Sequence, residues 1–190
     1  MPRIVRAKTS VLSPAVAARA RKIRLLLMDV DGVMTDGHVY LLGLRDGSAT
    51  EMKAFNSQDG AGLKMAQDAG LRTGLISGRD SAAVTRRARE TGIEFVYQGR
   101  AEKIPAYEEI LRKAGVQESE VAYVGDDLPD VPVMKRVGLA IAVANAVPEV
   151  QRAADLVTRQ RGGDGGVREA IEVILKAQRK WQALSTHARA

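Results

Sequence analysis

The sequence predicts a doubly wound α/β fold, in which helices cover both faces of a parallel sheet. Short apolar segments rich in valine, isoleucine and leucine alternate along the chain with longer amphipathic segments. The apolar segments are hydrophobic on both faces, as strands are when helices cover the sheet on each side. Alternating strands and helices give a parallel sheet, and 190 residues suit one domain with a sizeable core.

Six apolar segments and five amphipathic segments supply the predicted elements. The predicted strands are LLLMDV, LRTGLIS, IEFVYQ, VAYVGD, LAIAV and DLVT. The predicted helices are DGAGLKMAQDAG, DSAAVTRRARET, AEKIPAYEEILRKAG, PDVPVMKRV and AVPEVQRAA. The segment GHVYLLGLRDGSATEMKAF breaks the alternation, because two extended runs flank the pair Asp46-Gly47. This pattern predicts a β-hairpin directly after the first strand.

The composition excludes several kinds of site and partner. Cysteine is absent and only two histidines occur, so thiolate chemistry is excluded and any metal must be held mainly by oxygen. The net charge of +6 is not gathered in an aromatic-rich basic patch, which favours anionic small molecules over nucleic acid as partners. No apolar run reaches the roughly 18 residues of a membrane span, so no membrane partner is expected.

The predicted organisation has one folded unit. Residues 1–21, rich in alanine and arginine and interrupted by Pro2 and Pro14, are expected to form a loosely ordered N-terminal arm that can include a short helix. Residues 22–180 form the single domain, and residues 181–190 form a C-terminal tail. Because the first segment lacks the sustained apolar stretch of a secretion signal, a cytoplasmic location is expected.

Two aspartates follow the first predicted strand, in the stretch MDVDGVMTDG. Asp29 and Asp31 are two residues apart, so on an extended chain their side chains point the same way and repel one another. A divalent cation or a retained proton relieves this repulsion, and phosphoryl transfer needs a nucleophile and a general acid close together. A lone Asp-x-Asp is more often a turn, so the interpretation depends on the rest of the chain.

Three further segments contribute residues that suit a phosphate site. These residues are Asp126, Asp127 and Asp130 in VAYVGDDLPD, Ser77, Gly78 and Arg79 in LISGR, and Lys103 at the start of a predicted helix. Ligands bind at the carboxyl ends of strands in open α/β sheets, so these side chains are expected to lie near Asp29. Two acidic strand ends supply oxygen ligands for Mg²⁺, and an ammonium group suits a phosphoryl group.

Other motif interpretations fail on spacing. An EF-hand loop that began at Asp29 would need glycine and glutamate where Met34 and Tyr40 stand. No Gly-rich nucleotide loop follows a predicted strand, and His38 and His187 lie near no nucleophile-elbow motif. A calcium loop, a nucleotide loop and a Ser-His-Asp site are therefore not expected.

Four motifs make the chain similar to a known superfamily. DVDGVMTDG, ISGR, Lys103 and GDDLPD, in this order and spacing, resemble the four motifs of the haloacid-dehalogenase-like phosphohydrolases. KAFNSQDGAG, YQG and GGDGGVREAIE narrow the resemblance to the 3-deoxy-D-manno-octulosonate 8-phosphate phosphatase family, over about Ile23 to Gln178. The resemblance implies a Rossmann-like phosphatase domain without a cap domain, which uses Mg²⁺ and acts on a small anionic sugar phosphate.

The resemblance also implies roles for the strand-end residues. Asp29 would attack phosphorus and become aspartyl phosphate, while Asp31 would protonate the leaving oxygen and later deprotonate water. Ser77 and Lys103 would hold phosphate oxygens. The implied Mg²⁺ ligands are the Asp29 side chain, the Asp31 backbone carbonyl and Asp126, supported by Asp127 and Asp130.

The substrate contacts implied by the resemblance lie mainly after the hairpin. The implied substrate-binding residues are Asp31, Asn56, Ser57, Gln58, Asp59, Gly60, Lys64, Gly78, Arg79, Arg87 and Lys103. Lys64 stands where the family often has arginine, and an ammonium group lacks the bidentate fork of a guanidinium. Ser57 and Gln58 also depart from the commonest family pattern.

The resemblance further implies a homotetramer. The apolar hairpin segment from Val39 to Leu44 would be exposed in a monomer, as expected of an interface. The Gly-rich segment from Arg161 to Gly166 of one subunit is expected to cover the site of another. Asp164 is an unusual residue in a loop that approaches an anion.

Three alternatives remain open. A phosphatase of a nine-carbon 2-keto acid 9-phosphate, of the sialic-acid type, would share every motif. A receiver-like signalling domain also has acidic strand ends, but its phosphorylated aspartate follows a later strand than its acidic pair. A phosphosugar-binding protein without catalysis is disfavoured because both Asp29 and Asp31 are present.

Overall fold

All six predicted strands are present and form one parallel sheet. The computed structural model describes residues 12–183. Its strands are β1 (Leu25–Met28), β2 (Tyr40–Gly43), β3 (Ala49–Met52), β4 (Arg72–Ile76), β5 (Phe95–Tyr97), β6 (Val121–Gly125), β7 (Leu139–Ala142) and β8 (Leu156–Val157). The parallel sheet has the order β5-β4-β1-β6-β7-β8. The central strands β1, β6 and β7 are completely buried, which agrees with their unbroken apolar sequences.

The five predicted helices are also present, together with two more. The helices are α1 (Pro14–Ala20), α2 (Ser57–Asp68), α3 (Ala82–Thr91), α4 (Lys103–Ala114), α5 (Val131–Met134), α6 (Pro148–Ala153) and α7 (Gly166–Ala177). Short 3₁₀ turns span Glu118–Glu120 and Leu128–Asp130. The predicted helix PDVPVMKRV is thus shared between the second of these turns and the short helix α5.

The helices fall into two groups that cover opposite faces of the sheet. Helices α1, α2, α3 and α7 contact one another, whereas α4, α5 and α6 form the other group. The chain moves from β1 through β4 to β5 in one direction, then returns to β6 and continues outward to β8. Right-handed crossovers place helices on opposite faces when the direction of winding reverses. Within residues 12–183, no segment forms a cap domain over the sheet.

Helix α7 closes one face of the core through a clear apolar stripe. Val167, Ala170, Ile171 and Ile174 lie at helical spacing and are all buried. Helix α1 packs against α7 and buries Val16 and Ala20. It follows the N-cap residue Ser13, whose hydroxyl oxygen accepts the N–H of Val16. Most of the second half of the predicted N-terminal arm is therefore helical and docked.

The terminal predictions fall partly outside the described chain. Residues 1–11 of the predicted arm and residues 184–190 of the predicted tail, including His187, lie outside the described residues. The proposed domain bounds remain predictions. In the stretch from residue 12 to residue 183, no helix is both long enough and apolar enough to cross a bilayer.

The predicted hairpin is present as a separate two-stranded antiparallel sheet. Strands β2 and β3 pair from Tyr40 opposite Met52 to Gly43 opposite Ala49. The Asp46 carboxylate accepts hydrogen bonds from the backbone N–H and the hydroxyl of Ser48, which stabilises the turn. Unlike the main sheet, the hairpin leaves its apolar residues exposed.

Candidate active site

The strand register brings three of the predicted residues to one edge of the sheet. Met28 of β1 pairs with Leu75 of β4 and with Val124 of β6, so the three strands end almost level. Asp29, Ser77 and Asp126 each follow within two residues of these pairs. A cavity of about 460 Å³ opens here, and its lining includes these three residues together with Asp31, Gly78, Arg79 and Lys103.

Lys103 links two of the acidic residues inside the cavity. Its ammonium group lies 2.5 Å from Oδ1 of Asp29 and 2.6 Å from Oδ1 of Asp130. Tyr123, on β6, donates its hydroxyl to the same oxygen of Asp130 at 2.7 Å. Lys103 and Asp130 are buried, so this ion-pair cluster is largely shielded from water and rigidly placed.

Asp130 is the acidic residue whose oxygens are completely used by the protein. Its Oδ1 accepts hydrogen bonds from the Lys103 ammonium group and the Tyr123 hydroxyl. Its Oδ2 accepts the backbone N–H groups of Asp126 at 2.9 Å and Asp127 at 3.3 Å. Asp127 itself is exposed and accepts the N–H of Leu128. Asp130 thus fixes the loop after β6, and Asp127 begins the short turn that follows.

The charges of the cluster shift the proton affinities of its members. Burial, assisted by the charge of Asp130, raises the pKa of Asp29 to about 6 although Lys103 opposes the shift. Burial and the charges of Asp29 and Asp130 raise the pKa of Asp126 to about 8. Burial lowers the pKa of Lys103, but Asp29 and Asp130 more than compensate and raise it above its ordinary value. The protein alone therefore stabilises the charged carboxylates of Asp29 and Asp126 poorly.

The same residues fit a divalent cation. Oxygens of Asp29, Asp126 and Asp130 lie within 4.8 Å of one another, which is compatible with a shared metal ion. Oδ1 of Asp126 is buried and has no hydrogen-bond partner among the described residues. A buried carboxylate oxygen without a partner is costly unless a ligand completes it. Since both oxygens of Asp130 are already used, Asp29 and Asp126 are the side chains available to a metal.

Gly32 permits the close approach on which this arrangement depends. Its φ angle is +93°, and a Cβ there would lie only 2.0 Å from Oδ2 of Asp126. A side chain at this position would therefore collide with the carboxylate and strain the backbone. The glycine after the Asp-x-Asp pair keeps the two acidic strand ends in contact distance.

Asp31 contacts residues that the sequence analysis did not predict. The ammonium group of Lys53, at the end of the hairpin, pairs with Oδ1 of Asp31 and lies 3.4 Å from Glu51. Arg79 approaches Oδ2 of Asp31 at 3.9 Å and also pairs with Glu51. The one signal for this contact was the spacing of Glu51 and Lys53, which places both on one face of a strand.

The remaining predicted phosphate contacts are also at the cavity. Ser77 is buried, and its hydroxyl oxygen accepts the N–H of Arg79 at 3.2 Å. That bond leaves the hydroxyl proton available to a phosphate oxygen. Gly78 and Arg79 belong to the cavity wall.

The residues predicted to bind the sugar do not line this cavity. Within residues 12–183, the cavity lining contains none of Asn56, Ser57, Gln58, Asp59, Gly60, Lys64 and Arg87. Ser57, Gln58 and Lys64 are exposed. Asn56 caps α2 by accepting the N–H groups of Gln58 and Asp59, and Arg87 donates to the Asn56 carbonyl while lying over the Phe55 ring. Two members of this group therefore stabilise the start of α2.

Asp59 and the Gly-rich segment hold each other. The Asp59 carboxylate accepts the N–H of Arg168 at 2.7 Å and that of Gly165 at 3.4 Å, and burial raises its pKa. Gly162 donates to Asn145, whose amide donates to the Gly32 carbonyl. The segment predicted to cover a neighbouring subunit is thus tied to the active-site turn of its own chain.

The chain is similar to known haloacid dehalogenase-like hydrolases. A family model described as a haloacid dehalogenase-like hydrolase matches residues 82–171. The 3-deoxy-D-manno-octulosonate 8-phosphate phosphatase of Escherichia coli strain K12 is 44% identical over 169 residues, which cover 89% of this chain and 88% of that protein.

Two solved structures are also similar. The phosphatase of the same name from Yersinia pestis is 44% identical, with a TM-score of 0.84 over 89% of each chain. The enzyme from Moraxella catarrhalis, in complex with magnesium, phosphate and the sugar acid KDO, is 39% identical, with a TM-score of 0.85 over 90% of this chain and 97% of its own. The chain therefore belongs to the haloacid dehalogenase-like hydrolases and, among them, to the 3-deoxy-D-manno-octulosonate 8-phosphate phosphatase family, and it is a phosphatase.

Proposed function

We propose that the enzyme hydrolyses 3-deoxy-D-manno-octulosonate 8-phosphate with the help of Mg²⁺ and through an aspartyl-phosphate intermediate. The strongest support is the pairing of buried Asp29 with Lys103 beside the unpartnered oxygen of Asp126. A nucleophile, a fixed cation and a free metal ligand stand together there. The relatives named for this substrate support the choice of sugar.

Two displacements at phosphorus account for the reaction. An oxygen of Asp29 forms a bond to phosphorus while the bond from phosphorus to the sugar oxygen breaks, and Asp31 gives that oxygen a proton. Asp31 then takes a proton from water as the water oxygen attacks the aspartyl phosphate. The products are inorganic phosphate and the free Asp29 carboxylate, so Asp31 ends with the proton it lost. Lys103 and the Ser77 hydroxyl hold phosphate oxygens, and positioning supplies most of the rate increase.

The metal ligands follow from the donor groups at the cavity. Asp29, Asp126 and the backbone carbonyl of Asp31 would hold Mg²⁺, which would offset the negative charge of the carboxylates and the phosphate. Lys103 keeps its charge at neutral pH because its neighbours raise its pKa. Asp130 orients Lys103 and the loop of Asp126 and supplies no ligand itself.

A substrate panel tests the proposed function. Phosphate release is measured with 3-deoxy-D-manno-octulosonate 8-phosphate, with a nine-carbon 2-keto acid 9-phosphate and with a simple aldose phosphate, each with Mg²⁺ and with a chelator. We expect the largest kcat/KM for the eight-carbon substrate, and loss of turnover in chelator. If the keto-acid phosphates stay intact while the aldose phosphate is hydrolysed, the substrate assignment is wrong.

We also propose that the chain forms a homotetramer through its hairpin. Leu41 and Leu42 are 68% and 61% exposed, and Met52 is 62% exposed on the paired strand. Exposed apolar residues grouped in this way are typical of an interface. Light scattering should give four times the chain mass for the wild type and a smaller mass for Leu41→Ser/Leu42→Ser. The matched control Val157→Ser, an exposed valine on β8, should leave the mass unchanged.

A further inference from the structure

Lys53 connects the hairpin to the proposed acid and base. It follows β3 directly, yet its side chain is only 2% exposed, because it points back towards the carboxyl edge of the parallel sheet. Its ammonium group pairs with Oδ1 of Asp31 and lies near Glu51. A buried ammonium group is stable only among compensating charges, so its position is closely defined.

Four charged side chains of alternating sign form a closed ring. Lys53 contacts Asp31, Asp31 lies beside Arg79, Arg79 pairs with Glu51, and Glu51 lies beside Lys53. Glu51 and Lys53 are two residues apart in extended chain, so both face the site, whereas Met52 between them faces outward and is 62% exposed. Half of the ring therefore comes from the hairpin and half from the main sheet edge.

The ring determines which oxygen of Asp31 can exchange a proton. Oδ1 is held by Lys53, while Oδ2 is 3.9 Å from Arg79 and less tightly held. A general acid must keep its oxygen within hydrogen-bond reach of the leaving group, and a misplacement of about 1 Å can cost about 100-fold in rate. A carboxylate held at one oxygen presents the other in a fixed direction.

We propose that Lys53 is a positioning residue that orients Asp31 for proton transfer to the leaving oxygen. This inference rests on the proposed role of Asp31 as acid and base. Lys53 acts through Asp31 and does not hold the phosphoryl group. The Glu51 carboxylate lies on the same strand face as Lys53 and forms ion pairs with both Lys53 and Arg79.

Two substrates with different leaving groups separate positioning from phosphate binding. A sugar alkoxide is a strong base and must be protonated as it leaves, whereas p-nitrophenolate is a weak base that leaves without a proton. For Lys53→Met, we expect kcat/KM for the sugar phosphate to fall about 10- to 100-fold. The kcat/KM for p-nitrophenyl phosphate should fall less than about threefold, because its leaving group does not depend on Asp31.

Three matched variants make the test specific. Lys53→Arg keeps a cation and should recover most of the activity towards the sugar phosphate. Lys135→Met removes an exposed lysine, and Thr50→Val changes an exposed residue of β3, the strand that Lys53 follows. Neither variant should change kcat/KM for either substrate. Thermal unfolding of each variant shows whether the fold is retained, and the Lys53→Arg comparison keeps the test valid if Lys53→Met is unstable.

The Asp31→Asn variant separates this inference from the proposed function. Asp31→Asn should show the same substrate-selective loss in larger degree, and adding Lys53→Met to it should cause no further loss. If Asp31→Asn affects both substrates equally, the proposed acid role fails. If Asp31→Asn is selective but Lys53→Met lowers kcat/KM equally for both substrates, Lys53 binds the phosphoryl group and the positioning inference is overturned.

Discussion

Two regions of the molecule that were both predicted to belong to the site differ in how their side-chain oxygens are used. At the carboxyl edge of the sheet, Asp126 keeps a buried oxygen with no partner, and Asp29 shares a single lysine with Asp130. At the start of α2, Asn56 and Asp59 direct their oxygens to backbone N–H groups. The first region keeps a buried oxygen without a partner in residues 12–183, whereas the side-chain oxygens of Asn56 and Asp59 already accept backbone N–H groups.

This difference separates a binding site from a framework. Buried polar atoms are almost always satisfied. The hydroxyls of Thr73 and Tyr107 are also buried without a partner in the described chain, but a carboxylate oxygen costs far more to bury, so the one of Asp126 indicates where a ligand completes the structure. Asp126 and Asp29 also carry raised pKa values of about 8 and about 6, which shows that the folded protein alone stabilises their charges poorly. The α2 region contributes by holding the Gly-rich segment against the active-site turn.

The largest expected effect comes from the nucleophile. Asp29→Asn preserves the size of the side chain but removes the attacking carboxylate, so kcat should fall by about 10⁴-fold or more. Phosphate release from the sugar phosphate measures the loss, and rapid acid quench should trap phosphorylated wild-type protein but not the variant. Near-normal turnover of Asp29→Asn would remove Asp29 from its proposed role.

The second prediction concerns Asp59 as part of the framework. Asp59→Ala leaves the N–H groups of Gly165 and Arg168 without their acceptor, which should lower the free energy of unfolding by about 2 kcal/mol. Asp59→Asn keeps one acceptor oxygen and should lose about half as much. Urea unfolding measures both variants. An unchanged stability combined with a large rise in KM would instead place Asp59 in the sugar site.

The strand-end half of the site could be predicted from sequence because sheet register fixes it. Once β1, β4 and β6 are recognised as adjacent parallel strands, the residues after Met28, Ile76 and Gly125 must meet at one edge. Side-chain alternation then places Asp29 and Asp31 on the same side. The order of the motifs along the chain was sufficient to predict that these strand-end residues lie together.

The contacts of the hairpin and of α2 could not be predicted in the same way. The tilt of a hairpin against the main sheet depends on tertiary packing. The spacing of Glu51 and Lys53 places both on one face of the strand, but it does not show that this face meets Asp31. For α2, asparagine followed by aspartate three residues later is a helix-start pattern, and it competes with any ligand-binding role. Helix α7 did have a signal, the stripe of Val167, Ala170, Ile171 and Ile174, but it follows the last strand instead of connecting two strands.

The third prediction uses pH to report on the strand-end region. In the unfolded chain, Asp29 and Asp126 lose their protons near the ordinary aspartate pKa, about 3.9. In the folded metal-free protein they retain them up to about pH 6 and about pH 8. The folded state thus binds more protons than the unfolded chain in this range, so the stability of the metal-free protein should fall as the pH rises from about 5 to about 8.

Mg²⁺ should reverse this trend by stabilising the charged carboxylates. Thermal unfolding in chelator and in Mg²⁺ should therefore diverge as the pH rises, with the largest gain in melting temperature near the upper limit. Asp126→Asn provides the control, since it removes one of the two shifted groups and should flatten the dependence in chelator. Parallel curves with and without Mg²⁺ would show that the metal does not bind to these carboxylates.

The smallest expected effect comes from Gln58, which lies in the first turn of α2. Its side chain is exposed at the first turn of α2 and does not line the cavity, although its backbone N–H is capped by Asn56. Gln58→Ala should change stability by less than about 0.5 kcal/mol, because exposed substitutions of this kind rarely do more. Its kcat/KM should stay close to that of the wild type in dilute protein, measured beside Ser57→Ala as a matched neighbour. A tenfold loss of kcat/KM for Gln58→Ala alone, without a change in stability, would mean that the start of α2 reaches the substrate in the working enzyme. The start of α2 would then belong to the binding site.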